Sequence, residues 1–121
     1  MARILFVDDD PFTLETLTKA VEVFGHHALL ADNGEAGLRL AETQSPDIIF
    51  TDMRLPDMDG LTFVEKLQKQ PQTAQIPVLV LSASPSLDAV EMAKAAGAKE
   101  YINKPIRLQA LLDIIQKYTS A

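Results

Sequence analysis

The chain has 121 residues, a formal net charge of -6 and a hydrophobic fraction of 47%, the size and composition of one soluble domain with a sizeable core. Its negative charge repels nucleic-acid phosphates, and the absence of cysteine excludes disulfides, thiolate metal sites and cysteine nucleophiles. The first apolar run stops at Asp8, too short for a signal peptide, and no stretch approaches the ~20 apolar residues that a bilayer crossing needs, so the expectation is a cytoplasmic protein with no membrane insertion and no direct nucleic-acid contact.

Hydrophobic periodicity changes type repeatedly along the chain. RILFV (3–7) is a short β-branched and aromatic run and predicts a buried strand. DPFTLETLTKAVEVFG then places Leu14, Leu17, Val21 and Phe24 at helical spacing, with Asp10 as N-cap, Pro11 in the first turn and Gly25 as terminator. HALLA (27–31) predicts a second strand, and NGEAGLRLAETQ a helix opened by Asn33 and stopped before Pro46. DIIFTD (47–52) is a third strand, PDMDG is turn chemistry, and LTFVEKLQKQ a third helix. PVLVLSAS (77–84) is the most apolar strand. SLDAVEMAKAAG predicts a helix ended by Gly97, KEYIN a short strand, and RLQALLDIIQKYTSA a closing helix. Strands apolar throughout and alternating with helices predict a parallel sheet covered on both faces. Ligands of such open sheets bind beyond the carboxyl ends of the strands.

The residues at those ends form an unusual set. The first strand runs straight into Asp8, Asp9 and Asp10, the third ends in Asp52, the fourth reaches Ser82, and Lys104–Pro105 follows the fifth. Adjacent carboxylates repel, at a cost that grows as water is excluded. Asp10 has a structural explanation as a helix cap; Asp8 and Asp9 could serve a simple loop role, but their joint placement with Asp52, Ser82 and Lys104 weakens that reading. Crowded carboxylates without sulfur or a nearby histidine suit a hard divalent cation such as Mg²⁺, which takes oxygen ligands and is commonly shared with a phosphate. A phosphoryl group beside it could pair with the Lys104 ammonium and accept from the Ser82 hydroxyl. One carboxylate could then act as nucleophile and form an aspartyl phosphate.

VDDD (7–10), TDMRLPDMDG (51–60), VLVLSAS (78–84), AAGAKEYINKP (95–105) and the terminal helix, in this order and at these separations, resemble the receiver domains of two-component response regulators, the chemotaxis type among them. The resemblance implies a flavodoxin-like doubly wound α/β fold, with five parallel strands in order 2-1-3-4-5 and five helices, the whole of 1–121 being a single domain. It implies that Asp52 is the phosphoacceptor. It further implies that Asp9, Asp52 and the backbone carbonyl of Arg54 ligate Mg²⁺, with Mn²⁺ as a possible substitute, and that Asp8 acts through a water. Ser82 and Lys104 would bind the phosphoryl group, the Lys104–Pro105 bond would be cis, and Tyr101 would follow the phosphorylation state. Position 82 holds serine where threonine is also common, and Ile106 stands where an aromatic is frequent.

The implied function is a phosphorylation switch that assists its own phosphorylation without separate substrate turnover. Its phosphoryl donor would be a histidine kinase or histidine phosphotransfer protein. Its output would be a downstream protein or a homodimer, reached through the helix at 86–96, the strand at 99–103 and the last helix. On that helix Leu108, Leu111, Leu112 and Ile115 predict the buried stripe, which leaves Ile114 and Tyr118 as candidates for the output surface. The rival reading is a small aspartate-nucleophile phosphohydrolase of haloacid dehalogenase type, since DDDPFT offers an Asp-x-Asp pair at a strand end. Against it stand Phe12, where a small β-branched residue is wanted, and the shortness of the chain.

Overall fold

A computed structural model describes residues 2–83 and 86–119. The elements alternate in chain order: β1 (Arg3–Val7), α1 (Pro11–Glu22), β2 (His27–Ala31), α2 (Gly34–Gln44), β3 (Ile48–Asp52), α3 (Gly60–Gln68), β4 (Val78–Ser82), α4 (Leu87–Ala96), β5 (Glu100–Asn103) and α5 (Leu108–Thr119). The strands form one parallel sheet in the order β2-β1-β3-β4-β5, as the resemblance implies. The chain leaves β1 toward one edge and returns to β3 on its other side, so the strand order reverses at β1 and β3. The crevice at their carboxyl ends is where this architecture binds ligands.

Strand side chains alternate between the two faces, and both faces are buried. Leu5, Val7, Ile49, Val78 and Val80 belong to one core cluster, which includes Phe63, Val64 and Leu67 of α3 and Ala93 of α4. Ile4, Phe6, Ile48, Phe50, Leu79 and Leu81 belong to the other, which includes Leu14, Leu17 and Val21 of α1 and Leu111 and Ile115 of α5. Phe6 and Phe50 lie opposite each other in register and stack at 5.5 Å between ring centroids. Truncating such a ring to alanine costs about 3–5 kcal/mol. This double burial fixes the strands rigidly, and therefore fixes whatever stands at their ends.

Asp10 and Asn33 open α1 and α2 as predicted, and Asp59 and Ser86 cap α3 and α4, each of the four accepting from a backbone N–H of the first turn. Some boundaries differ. α1 ends at Glu22 rather than carrying Phe24, because the chain turns at Gly25 in a positive-φ conformation (φ 85°) and His26 N–H bonds back to the Val21 carbonyl; Phe24 is 51% exposed. β4 ends at Ser82, and Ser84, which the prediction included in this strand, lies outside the described residues.

The stripe on α5 is also corrected. Leu108 is the first residue of the helix and is 47% exposed, whereas Leu111 and Ile115 are buried. Ile114 and Tyr118 pack against the core cluster with Ile102 and Ile106. The row facing the sheet is therefore Leu111, Ile114, Ile115 and Tyr118, the same i, i+3, i+4, i+7 spacing begun three residues later. Leu108 precedes the point at which the helix reaches the sheet.

Candidate functional site

Three loops bring the singled-out residues together at the carboxyl edge. β1 delivers Asp8 and Asp9, β3 delivers Asp52, and the turn after β5 delivers Lys104, across a cis Lys104–Pro105 bond as expected. Carboxylate oxygens of Asp8, Asp9 and Asp52 all lie within 4.8 Å of one another. Lys104 Nζ donates to Asp8 Oδ2 at 2.7 Å and lies 3.2 Å from Asp52 Oδ1. Asp8 is buried, Asp52 half-buried and Asp9 exposed. Asp8 also accepts from the Asp10 N–H at 2.9 Å, and Asp52 Oδ1 from the Met53 N–H at 2.9 Å.

Asp10 does not join the cluster. It accepts from the Phe12 N–H at 3.2 Å and the Thr13 hydroxyl at 2.7 Å, as a helix cap does. The Thr13 bond chiefly holds its carboxyl below the usual range. This disposition also removes the Asp-x-Asp pair on which the phosphohydrolase alternative rests, because the second aspartate is committed to α1.

The electrostatics separate Asp52 from its neighbours. Burial pushes its carboxyl above the ordinary value, and the charge of Asp8 adds to this against the opposing pull of Lys104. Burial also works against the charge on Lys104, but its hydrogen bond to Asp8 and the charges of Asp52 and Asp8 outweigh that, so its ammonium is held above the normal range. Among the described residues Lys104 thus serves Asp8 and Asp52 with Asp9 beside them, leaving negative charge in excess on a rigid frame.

The donor set fits a hard divalent ion. It is all oxygen, it converges from two loops, and neither histidine belongs to it; His26 Nδ1, for instance, accepts from the Ala2 N–H. Arg54, whose carbonyl is the implied third ligand, follows Asp52 by two residues in the loop 53–59 and lines the same cleft. That loop turns tightly. Gly60 N–H bonds to the Met53 carbonyl at 2.6 Å, and a Cβ on Gly60 would come 2.6 Å from the Asp52 carbonyl oxygen, so only glycine lets the start of α3 pass this close behind Asp52.

The cleft measures about 890 Å³ and is lined by Asp52, Arg54, Met58, Ser82, Tyr101 and Lys104 among others. Ser82 is buried at the end of β4, and its carbonyl accepts from the Lys104 N–H at 2.8 Å. Tyr101 is half-buried against the core cluster beneath α3 and α4. Ile114 and Tyr118 lie elsewhere, against the opposite cluster. Sequence reasoning missed Asp57, whose carboxylate reaches α2; an acid inside a Pro-Asp-Met-Asp-Gly turn reads as turn chemistry, and nothing local reports its distant partners.

The sequence matches the response regulator receiver domain family over residues 4–116. The chain belongs to that family. Protein PilH of Pseudomonas aeruginosa is 36% identical over 115 residues, covering 95% of each chain. Among solved structures, the Vibrio cholerae chemotaxis protein CheY4 superposes with a TM-score of 0.91 at 29% identity, covering 98% of both chains. The receiver domain of the sensor histidine kinase PA1611 from Pseudomonas aeruginosa gives a TM-score of 0.90 at 28% identity, covering 99% of this chain and 98% of its own; it was solved with a magnesium ion coordinated in its active-site cleft. Other curated relatives are longer, and the chain spans 46% and 51% of two of them. This receiver domain is therefore of the chemotaxis-like, two-component signalling type, and the match does not favour the phosphohydrolase alternative. None of its described helices is long and apolar enough to cross a membrane.

Proposed function

We propose that this receiver domain is a Mg²⁺-dependent phosphorylation switch whose acceptor is Asp52. The observation that carries this reading is the position of the Asp52 carboxylate. It stands at the end of a buried strand, 3.2 Å from the Lys104 ammonium and within 4.8 Å of oxygens from Asp8 and Asp9.

A histidine kinase or a histidine phosphotransfer protein is the donor. An Asp52 carboxylate oxygen attacks the phosphorus of a phosphohistidine; the new P–O bond forms as the P–N bond breaks, and its electron pair leaves with the imidazole. Asp9, Asp52 and the Arg54 carbonyl would hold Mg²⁺, or Mn²⁺ in its place, with Asp8 reaching it through a water. The ion, when bound, supplies charge neutralisation at the phosphoryl oxygens. Lys104 is placed to pair with a phosphoryl oxygen once released from Asp8 and Asp52, and the Ser82 hydroxyl to donate to another. Tyr101 lines the same cleft and would follow that change.

Output leaves through the face built by α4, β5 and α5, toward a downstream protein or a second copy of the chain. Leu87 and Met92 of α4 and Leu108 of α5 are exposed hydrophobic residues of these helices, whereas Ile114 and Tyr118 pack inward against a core cluster. The excess negative charge argues against direct nucleic-acid binding, and a cytoplasmic setting fits the donor. The test is phosphorylation by purified histidine kinases with Mg²⁺, followed by partner capture with and without phosphate. Mg²⁺-independent labelling, or the same captured proteins in both states, would contradict the reading.

A further inference from the structure

The loop 53–59 leaves the acceptor strand and carries the Arg54 carbonyl. Near its start it is tied to the sheet, since Met53 N–H bonds to the Leu81 carbonyl at 3.2 Å. Its far end is held by its own turn, in which Leu55 N–H bonds to the Met58 carbonyl at 3.1 Å and Arg54 bridges to Asp59. Beyond Met53, and apart from the cap of α3 that follows directly, its hydrogen bonds to the rest of the fold among the described residues are two. The Asp57 carboxylate accepts from the Gly34 N–H at 2.8 Å with one oxygen and from the Glu35 N–H at 3.0 Å with the other.

These are the free donors of the first turn of α2. Asn33 already accepts from the Ala36 N–H at 2.8 Å, so Asp57 completes the capping of a helix whose own cap residue serves only one donor. The two bonds hold the Asp57 carboxyl below its usual range. Met58 secures the same junction by packing, because a Cβ on Gly34 would meet its side chain at 2.6 Å. α2 in turn follows β2, whose last residue, Ala31, accepts from the Asp8 N–H at 3.0 Å. A charged, two-pronged contact thus joins the loop on one side of the carboxylate cluster to the turn that braces the other side.

We infer that Asp57 is a positioning residue for the metal site: by clamping the loop 53–59 onto the N-terminus of α2, it sets the direction of the Arg54 carbonyl relative to Asp9 and Asp52. This rests on the proposed Mg²⁺ site. Removing the clamp leaves every ligand in place but lets the loop sample other orientations, so affinity falls without loss of a donor. Linkage makes the effect reciprocal: if the clamp favours Mg²⁺, then Mg²⁺ favours the clamp by the same factor.

The experiment is Mg²⁺ titration by calorimetry together with amide hydrogen exchange, on the whole chain, for wild type, Asp57→Ala, Asp57→Asn and Asp9→Ala. Asp57→Ala should weaken Mg²⁺ binding roughly five- to tenfold, and Asp57→Asn, which keeps one acceptor oxygen, by less. In wild type Mg²⁺ should slow exchange at the Gly34 and Glu35 amides by a similar factor, while in Asp57→Ala those amides should not respond to Mg²⁺. The Phe50 amide in the core reports global stability in every variant. If Asp57→Ala binds Mg²⁺ like wild type, or if Mg²⁺ leaves the wild-type Gly34 and Glu35 amides unchanged, Asp57 only caps α2 and the inference is overturned. If wild type binds no Mg²⁺, or Asp9→Ala binds it equally well, the metal reading fails and takes the clamp's role with it.

Discussion

Two charged clusters sit at opposite ends of β5, and they are built on different principles. Beyond its carboxyl end, Lys104 serves Asp8 and Asp52, with Asp9 close by. At its amino end, Glu100 accepts from the Tyr118 hydroxyl at 2.5 Å and from Lys117 at 3.1 Å. The second cluster is balanced: one carboxylate, one ammonium and one hydroxyl pin the end of α5 to the sheet. Tyr118 chiefly, and then Lys117, hold the Glu100 carboxyl below its ordinary range. The first cluster is unbalanced, and burial and like charge push Asp52 the other way. Balanced charge closes a fold. Excess charge of one sign, held on strands that cannot relax, prepares a place for something from outside.

The largest expected effect breaks the first cluster at its proposed ligands. Asp9→Ala should weaken Mg²⁺ binding by about tenfold or more, whereas Asp10→Ala should leave that affinity nearly intact and lower stability by about 1 kcal/mol through the lost cap. Titration and thermal unfolding of both variants separate the two roles. Equal Mg²⁺ affinities would mean that Asp9 is not a ligand.

Next comes the cation. Lys104→Ala leaves buried Asp8 beside Asp52 with no counter-charge and should cost on the order of 2 kcal/mol at neutral pH. If the imbalance is what the ion relieves, Mg²⁺ should restore more stability to this variant than it adds to wild type. Denaturant melts with and without Mg²⁺ would check this, and equal increments would contradict it.

The balanced cluster should respond differently. Glu100→Gln is expected to lower the unfolding midpoint by roughly 2 °C at neutral pH and to leave Mg²⁺ affinity unchanged. Because the folded pKa of Glu100 is depressed, its contribution is present above the unfolded carboxylate pKa and is lost as pH falls through the folded one. The gap between variant and wild type should therefore close in acid. Melting curves across that range decide it, and a constant gap would show that the carboxylate charge plays no part.

The smallest effect concerns Arg54, whose side chain is exposed at the cleft. Arg54→Ala should alter the lifetime of the phosphoryl group while leaving Mg²⁺ affinity nearly unchanged, because the proposed ligand there is backbone. Decay of labelled protein measures this, and an unchanged lifetime would remove the side chain from the mechanism.

The contrast between the clusters also marks how much could be read from the chain. The strand ends were legible because each strand runs into a polar residue at its carboxyl end: Val7 into Asp8, Thr51 into Asp52, Leu81 into Ser82. The cap role of Asp10 was legible because its partners, Phe12 and Thr13, are two and three residues away. The buried row of α5 was misjudged because periodicity gives the spacing of a stripe but not the residue at which the helix first touches the sheet. The Asp57 clamp was invisible for a related reason. Its partners lie 22 and 23 residues earlier in the chain and are backbone N–H groups, which every non-proline residue carries.

Site-resolved phosphorylation tests the central claim most directly. Wild type and Asp52→Asn would each be incubated with acetyl phosphate and Mg²⁺, and the products mapped by mass spectrometry. The account predicts one Mg²⁺-dependent acyl phosphate on Asp52 of wild type and none on the variant, which keeps the shape of the side chain and loses the nucleophile. Labelling of Asp52→Asn equal to wild type, or a wild-type adduct that maps to another residue, would contradict it.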